Sequence, residues 1–520
     1  MNMSRITGTL MMLVIAATAC VREPKVTYDE IEHRSLKAWI EKYHPELMEN
    51  YQEDGGYYVK ILEEGDGVNI VTGKDVWVWF DFTARDLQGN IHETRSADVA
   101  LQLATYSNYA HYVPAVRFSG KDSHTLMEGT YLATYNPLKI GGNENYQVSE
   151  GTKLRLYLPS SVTKTTTDTS DGGYEGQFEA DKNRPMIVDM TIYGHVENPV
   201  EYEGERVESF AKNTFGLCEE HKVVEEENST EKSSLRRHTT RTDEESDEEQ
   251  KMTNEEAVRE FYDGRWHQPV DTLEHLLVNY TYNPEKSIDF AGSMAGLAEK
   301  YPNQALYTAG KIYNDSSDLE SRINAALIAR FGKGATTEEE YIELDSLRTQ
   351  PMANVWYIGR FLDGFIFDTN IDEVKEIIYG EVRAKGEALT FNTRDISENS
   401  YILAWNYSIP TLRYGQWASI LTVSTYGYGI AGKVGSHTTT TNYDDSYYDY
   451  ANYYNYMNYM NNYYGYGYGG MYNNGYYGHN PYYYGYNQFP SSGSVTTTTT
   501  TSTEIPAYSP LLFQIYVTKP

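Results

Sequence analysis

Four groupings in the 520-residue chain have residue types and spacing that suggest chemistry. Gly427-Tyr-Gly-Ile-Ala-Gly432 satisfies the Gly-x-Gly-x-x-Gly pattern, in which backbone N–H groups close around a phosphate at the start of a helix. No helical pattern follows it, so dinucleotide binding is not expected. The twelve histidines include no His-x-x-x-His pair that one helix face would offer to a metal ion. Of the two cysteines, Cys20 closes an export-type leader and Cys218 is left without a partner, so neither an intramolecular disulfide nor a thiolate metal site is expected. Asp81, Asp86, His92 and Glu93 supply carboxylates and an imidazole, but their setting reads as a solvated turn rather than an acid–base site. No metal and no cofactor is expected on these grounds.

The aromatic residues of the second half are arranged more tellingly. Val355-Trp-Tyr-Ile-Gly-Arg-Phe-Leu-Asp-Gly-Phe-Ile-Phe-Asp-Thr369 reads as strand, turn and strand ending in Gly-x-x-Phe-Asp. Tyr401-Ile-Leu-Ala-Trp-Asn-Tyr-Ser-Ile-Pro-Thr411 reads as a short helix containing Trp405, and it leads into a strand over Ala418–Thr425 and a Tyr-Gly loop at Tyr428-Gly429. Ile505-Pro-Ala-Tyr-Ser-Pro-Leu-Leu-Phe-Gln-Ile-Tyr-Val517 closes the series as a final strand. These three blocks, in this order, resemble the FKBP-type peptidyl-prolyl cis-trans isomerase domain.

The resemblance implies a proline pocket at Tyr357, Phe367, Asp368, Ile402, Trp405, Tyr428 and Phe513. Rotation about an X-Pro bond must cross an amide barrier of roughly 18–20 kcal/mol, and it needs neither a nucleophile nor proton transfer. Grasping the ring and favouring the twisted amide is sufficient, which is catalysis by differential binding. In that reading Trp405 floors the cup, Tyr357, Phe367 and Phe513 wall it, the Ile402 N–H and Tyr428 hydroxyl bond substrate carbonyls, and Asp368 orients or polarises the amide. Two features depart from the family pattern. Thr369-Asn-Ile-Asp-Glu373 lacks the arginine often found after Phe-Asp, and Pro410 falls within the expected short helix, where it removes a backbone donor.

The first half resembles a degenerate copy of the same domain. Val76–Thr94 matches the strand–turn–strand unit, Glu150–Ser160 the turn and central strand, and Arg184–Ile192 the closing strand. His92-Glu93 stands at the Phe-Asp position and nothing matches Trp405, so this copy is expected to bind or space rather than catalyse. The expected class is therefore α+β, with two FKBP-like domains, each an antiparallel sheet curled around a short helix.

The elements that must position these residues give a domain plan. Residues 1–19 read as a signal peptide, with Arg5, the apolar stretch Leu10–Ala17 and small residues before Cys20. This resembles a bacterial lipoprotein signal of Bacteroidota-like type, which implies lipidation at Cys20 and an envelope, outer-membrane location. A tether and helix follow over 20–50, where Leu36, Trp39, Ile40, Tyr43 and Leu47 recur at helical spacing. The degenerate domain covers 51–197, an acidic linker 198–251, a mixed segment 252–345 and the second domain 346–520. Within the mixed segment, Thr253 with Glu256 marks a helix start, Leu276, Val278, Tyr280 and Tyr282 alternate as a strand, and Ser317 with Glu320 begins a helix that Gly332 ends.

The balance of 43 Lys and Arg against 74 Asp and Glu excludes sequence-independent binding to nucleic acid. About two in five of the 50 tyrosines fall in Tyr443–Tyr486, almost wholly Tyr, Asn and Gly, inside an insertion over 434–504 that the resemblance hangs beside the pocket. The Thr-rich run Val495–Thr503 follows, and no regular secondary structure is expected across this region. Expected partners are unfolded or proline-containing clients, a membrane through the lipid, and an envelope membrane-protein complex. The alternative reading is a non-catalytic chaperone or scaffold subunit of an outer-membrane assembly or secretion complex.

Overall fold

The computed structural model describes residues 27–104, 106–117, 127–163, 185–215, 262–286, 288–290, 316–429, 432, 433, 435, 437–442, 495–500 and 502–520. The leader, Cys20, Cys218, the helix expected from Thr253 and the tyrosine-rich stretch lie outside them.

The chain opens on helix α1, Tyr28–Tyr43, started by a capping box in which Thr27 and Glu30 satisfy each other's backbone N–H. Its Leu36 and Ile40 are buried against Tyr58 and Tyr157 of the first sheet. That sheet contains β1 (Tyr57–Glu63), β2 (Trp77–Asp86), β3 (Ile91–Thr94), β4 (Lys153–Leu158) and β5 (Met186–Val196), in the order β1-β4-β5-β2-β3. All of these pairs are antiparallel. Helix α2, Glu128–Tyr135, packs on β4 so closely that a Cβ on Gly129 would meet Leu158 Cδ2 at 2.5 Å. Asp86 departs from the expected solvated turn: it is 3% exposed, and its carboxylate accepts from the Gln88 and Asn90 N–H groups, closing the β2–β3 turn.

The second sheet repeats the same strand order. It runs β6 (Leu277–Asn279), β9 (Trp417–Thr422), β10 (Leu511–Thr518), β7 (Met352–Phe361), β8 (Ile366–Thr369), again antiparallel throughout. Between β6 and β7 comes α4 (Ser316–Phe331), and after β8 come α5 (Asp372–Tyr379) and the short α6 (Leu403–Ser408). The α+β class expected of the chain is what the structure has. Two units share one topology although their sequences diverge.

Period-two alternation divides the second sheet between two layers. In β10, Leu511, Phe513, Ile515 and Val517 join the core with Trp405 and Ala404 of α6. Leu512 and the partly buried Tyr516 face the other layer, which holds Ile323 and Leu327 of α4, Val374 and Ile378 of α5, and Val207, Phe210 and Ala211 of helix α3 (Pro199–Thr214). On that back face the fully buried Arg360 is clamped by Glu320 of α4, with Nη1–Oε1 at 2.6 Å and Nη2–Oε2 at 3.0 Å, and its Nε donates to Gln514. Helix α4 of the mixed segment thus covers the back of this sheet.

Several expectations are corrected. The acidic linker does not begin at 198, because Pro199–Thr214 is helical. Asn198 caps it by accepting from the Val200 and Glu201 N–H groups, and an apolar stripe hides among its charges. The strand expected over Leu276–Tyr282 narrows to β6, and Tyr282 joins the back layer while Leu276, Val278 and Tyr280 join the front. Pro410 does not interrupt α6, which ends at Ser408; the proline sits in the first turn of a 3-10 segment, Ile409–Thr411, where no N–H is required. The threonine run contains a strand, Val495–Thr500, paired antiparallel with His437–Asn442 as a two-stranded ribbon. β-branched threonine favours this extended backbone even without an apolar period. Among the described residues, no helix is long and apolar enough to cross a membrane.

Loop 106–114 and α3 join the two units. Tyr109 stacks on Tyr379 with centroids 3.9 Å apart, His111 lies flat on Phe361 at 4.6 Å with its Nε2 2.7 Å from Asp363 Oδ2, and Arg95 meets Glu504 at 3.1 Å.

Candidate functional site

Every residue assigned to the pocket lies on the front layer of the second sheet. Tyr357 comes from β7, Phe367 and Asp368 from β8, Ile402 caps α6, Trp405 sits in its first turn, Tyr428 lies in the loop after β9, and Phe513 comes from β10. The strand pairing brings the first set together, since Gly359 of β7 is opposite both Asp368 and Phe513. Gly359 is needed there: a Cβ on it would lie 2.6 Å from Phe367 Cζ, so the ring folds over bare backbone.

The rings form a nest of edge contacts around the indole. Trp405 is 5.0 Å from Tyr357 at 70° and 5.3 Å from Phe513 at 83°, and Phe513 is 5.8 Å from Phe367 at 89°. These are the T-shaped geometries that place positive ring edges on negative faces. Trp405, Phe367 and Phe513 are buried, whereas Tyr357, Asp368, Ile402 and Tyr428 keep partial exposure and form the accessible side.

The polar groups are sparse and placed at that side. The Tyr357 hydroxyl donates to Asp368 Oδ2 at 2.8 Å. Burial, with the adjacent carboxylate and its bond, holds this phenol far above its usual range, so it stays a donor. Tyr428 is pushed up to about 12 by burial and by the Asp368 charge, and it too remains protonated. Among the described residues neither the Tyr428 hydroxyl nor the Ile402 N–H has a hydrogen-bond partner. The buried Trp405 Nε1–H also has none. An apolar cup with two unclaimed donors at its accessible side, a third at its buried indole and one held carboxylate can receive a small ring flanked by carbonyl groups.

Sequence reading missed further members. Tyr401 lies 5.7 Å from Trp405 and stacks on Phe391 at 14°, while Phe361 lies 5.3 Å from Phe367. Tyr401 and Phe361 sit inside the blocks that carry the resemblance, so their aromatic character was the available signal. His111, which covers Phe361 from the other unit, had none. In the first unit, α2 occupies the chain position of α6 and offers Ala133 and Tyr135 to the core, with no indole. Among the described residues no group of His, Cys, Asp or Glu is placed to hold a metal ion.

No family model and no curated protein matches the chain. Solved structures do. The chain is similar to FkpA from Escherichia coli at 12% identity, over 38% of this chain and 74% of that one, with a TM-score of 0.20. It is similar to a peptidyl-prolyl cis-trans isomerase from Pseudomonas syringae pathovar tomato at 15% identity, over 34% of this chain and 100% of that one, with a TM-score of 0.20. The three FKBP domains of wheat FKBP73 match at 10% identity, over 90% of this chain and 95% of that one, with a TM-score of 0.18.

Proposed function

We propose that the second unit is a peptidyl-prolyl cis-trans isomerase acting on proline-containing segments of unfolded proteins. The observation that carries this reading is the ring nest around Trp405 with the Tyr357–Asp368 bond at its open side. A proline ring seated on the indole leaves its amide at that side. The Tyr428 hydroxyl and the Ile402 N–H then take the flanking carbonyls, and Asp368, fixed by Tyr357, favours the twisted, less delocalised amide. Apolar walls disfavour the more polar planar form, and the difference lowers the barrier.

Further parts of the reading draw on the sequence. Lipidation at Cys20 would hold the chain at an envelope membrane, and the tyrosine-rich insertion, entered and left through the threonine ribbon, supplies amphipathic contact area for clients beside the pocket. The competing reading is a non-catalytic chaperone or scaffold subunit of an outer-membrane assembly, favoured by the first unit, which has the topology but no tryptophan on α2, the helix at the chain position of α6.

A protease-coupled proline-peptide assay on the chain without its leader separates the two. Turnover that falls at least about tenfold in Asp368→Ala and Trp405→Ala supports the isomerase, since one lost transition-state contact of about 1.4 kcal/mol has that effect. Wild-type turnover equal to that of the double variant gives the scaffold reading the site. Incorporation of labelled fatty acid that Cys20→Ala abolishes tests the anchor.

A further inference from the structure

Glu203 of α3 is fully buried, although α3 lies more than 130 residues before the pocket blocks in the sequence. Its Oε2 accepts from the Ser424 Oγ–H at 2.8 Å and from the Ser424 N–H at 3.2 Å. Ser424 follows β9 and opens the loop that bears Tyr428. Its own carbonyl accepts from the Gly427 N–H at 2.9 Å and from the Gly429 N–H at 2.7 Å. The two donors flank Tyr428, so the loop is wound on the Ser424 carbonyl, and Gly429 supplies the left-handed turn at φ +70°. Glu203 Oε1 has no hydrogen-bond partner among the described residues, which leaves Ser424 as the residue its carboxylate serves.

We infer that Glu203 is a positioning residue for the candidate pocket: through Ser424 it fixes the loop that carries the Tyr428 donor, so a helix from outside the second sheet completes the site. The activity arm of the test rests on the isomerase reading; the structural arm does not. A buried carboxylate whose only role is to hold α3 on the sheet would stabilise the chain without acting on one loop. Arg206, one turn along α3, and Tyr508, which precedes β10, are the charged or titratable groups that interact with it.

The test is amide hydrogen exchange of the full chain over residues 423–429, alongside proline-peptide kinetics. Glu203→Ala should speed exchange at Ser424, Gly427 and Gly429 at least about fivefold, the effect of losing a net hydrogen bond. Glu203→Gln, whose amide oxygen can accept both Ser424 bonds, should restore slow exchange. In kinetics, Glu203→Ala should lower kcat/KM about fivefold and cost nothing further on top of Tyr428→Phe, because both act through one hydroxyl. Unchanged loop exchange in folded Glu203→Ala, or fully additive losses in the double variant, overturns the inference. Faster loop exchange in a chain whose wild type shows no turnover supports the positioning role and sinks the isomerase reading instead. Should Glu203→Ala fail to fold, Ser424→Ala removes the hydroxyl donor alone; no exchange change there also overturns the inference.

Discussion

The hydroxyl of Tyr357 on β7 donates to Asp368 on β8 at 2.8 Å, tying the two strands of one hairpin across the open side of the ring nest. The bond gives the carboxylate a fixed direction. A hydrogen bond to a charged group is worth about 1.5–3 kcal/mol in net stability, reduced where the group is partly exposed as Asp368 is.

Tyr357→Phe and Asp368→Asn should therefore be coupled. Urea denaturation of the two single variants and the double variant is expected to give a coupling energy of about 1–2 kcal/mol. Each single variant should also lower kcat/KM for a proline peptide. Strictly additive stability changes would mean the bond contributes nothing.

Gly359→Ala should disturb the cup while sparing the sheet. Its Cβ would lie 2.6 Å from Phe367 Cζ, so the ring must turn away from Phe513. Overpacking of this kind costs about 1–3 kcal/mol, and peptide turnover should fall by a larger factor than the change in melting temperature suggests. Wild-type kinetics in this variant would show that Phe367 does not shape the site.

His111→Ala should loosen the two units from each other. It removes the stack on Phe361 and strips Asp363, only 5% exposed, of its 2.7 Å partner. An aromatic pair contributes about 0.5–1.5 kcal/mol and an orphaned buried acceptor costs about 1–3 kcal/mol. Calorimetry is expected to show one transition in the wild type and two in the variant. A single unshifted transition would place the inter-unit coupling elsewhere.

Glu203 predicts a pH dependence. Burial raises its carboxyl to about 7, opposed by the Ser424 bonds and the Arg206 charge. The folded chain therefore binds a proton that the unfolded chain, near 4.5, has released. Stability from this group is full below about 4.5, declines as pH rises, and is lost above about 7, a span of about 3 kcal/mol. The difference in urea midpoint between wild type and Glu203→Gln, measured from pH 4.5 to 8, should follow that slope. A constant difference would show that Glu203 titrates normally.

How much of this was legible beforehand depends on the range of the interaction. The strands announced themselves through local composition, as in β10, and α6 through the resemblance carried by the ordered block that holds Trp405. Helix α3 was hidden because average charge swamped an apolar stripe of only a few residues, Val207, Phe210 and Ala211. The ribbon was hidden because threonine repeats carry no period.

The sequence by itself determined the α+β class, and its resemblance, carried by an ordered set of short blocks, implied two domains of one kind and the seven candidate pocket residues that the structure places on one layer of the second sheet. Only the tertiary structure decided that Pro410 falls outside α6, that α4 of the mixed segment covers the back of the second sheet, and that His111 and Glu203 reach the candidate site's surroundings from the other half of the chain. Those contacts join residues more than 200 positions apart, and no local pattern of polarity encodes which distant surface a buried carboxylate or imidazole will meet.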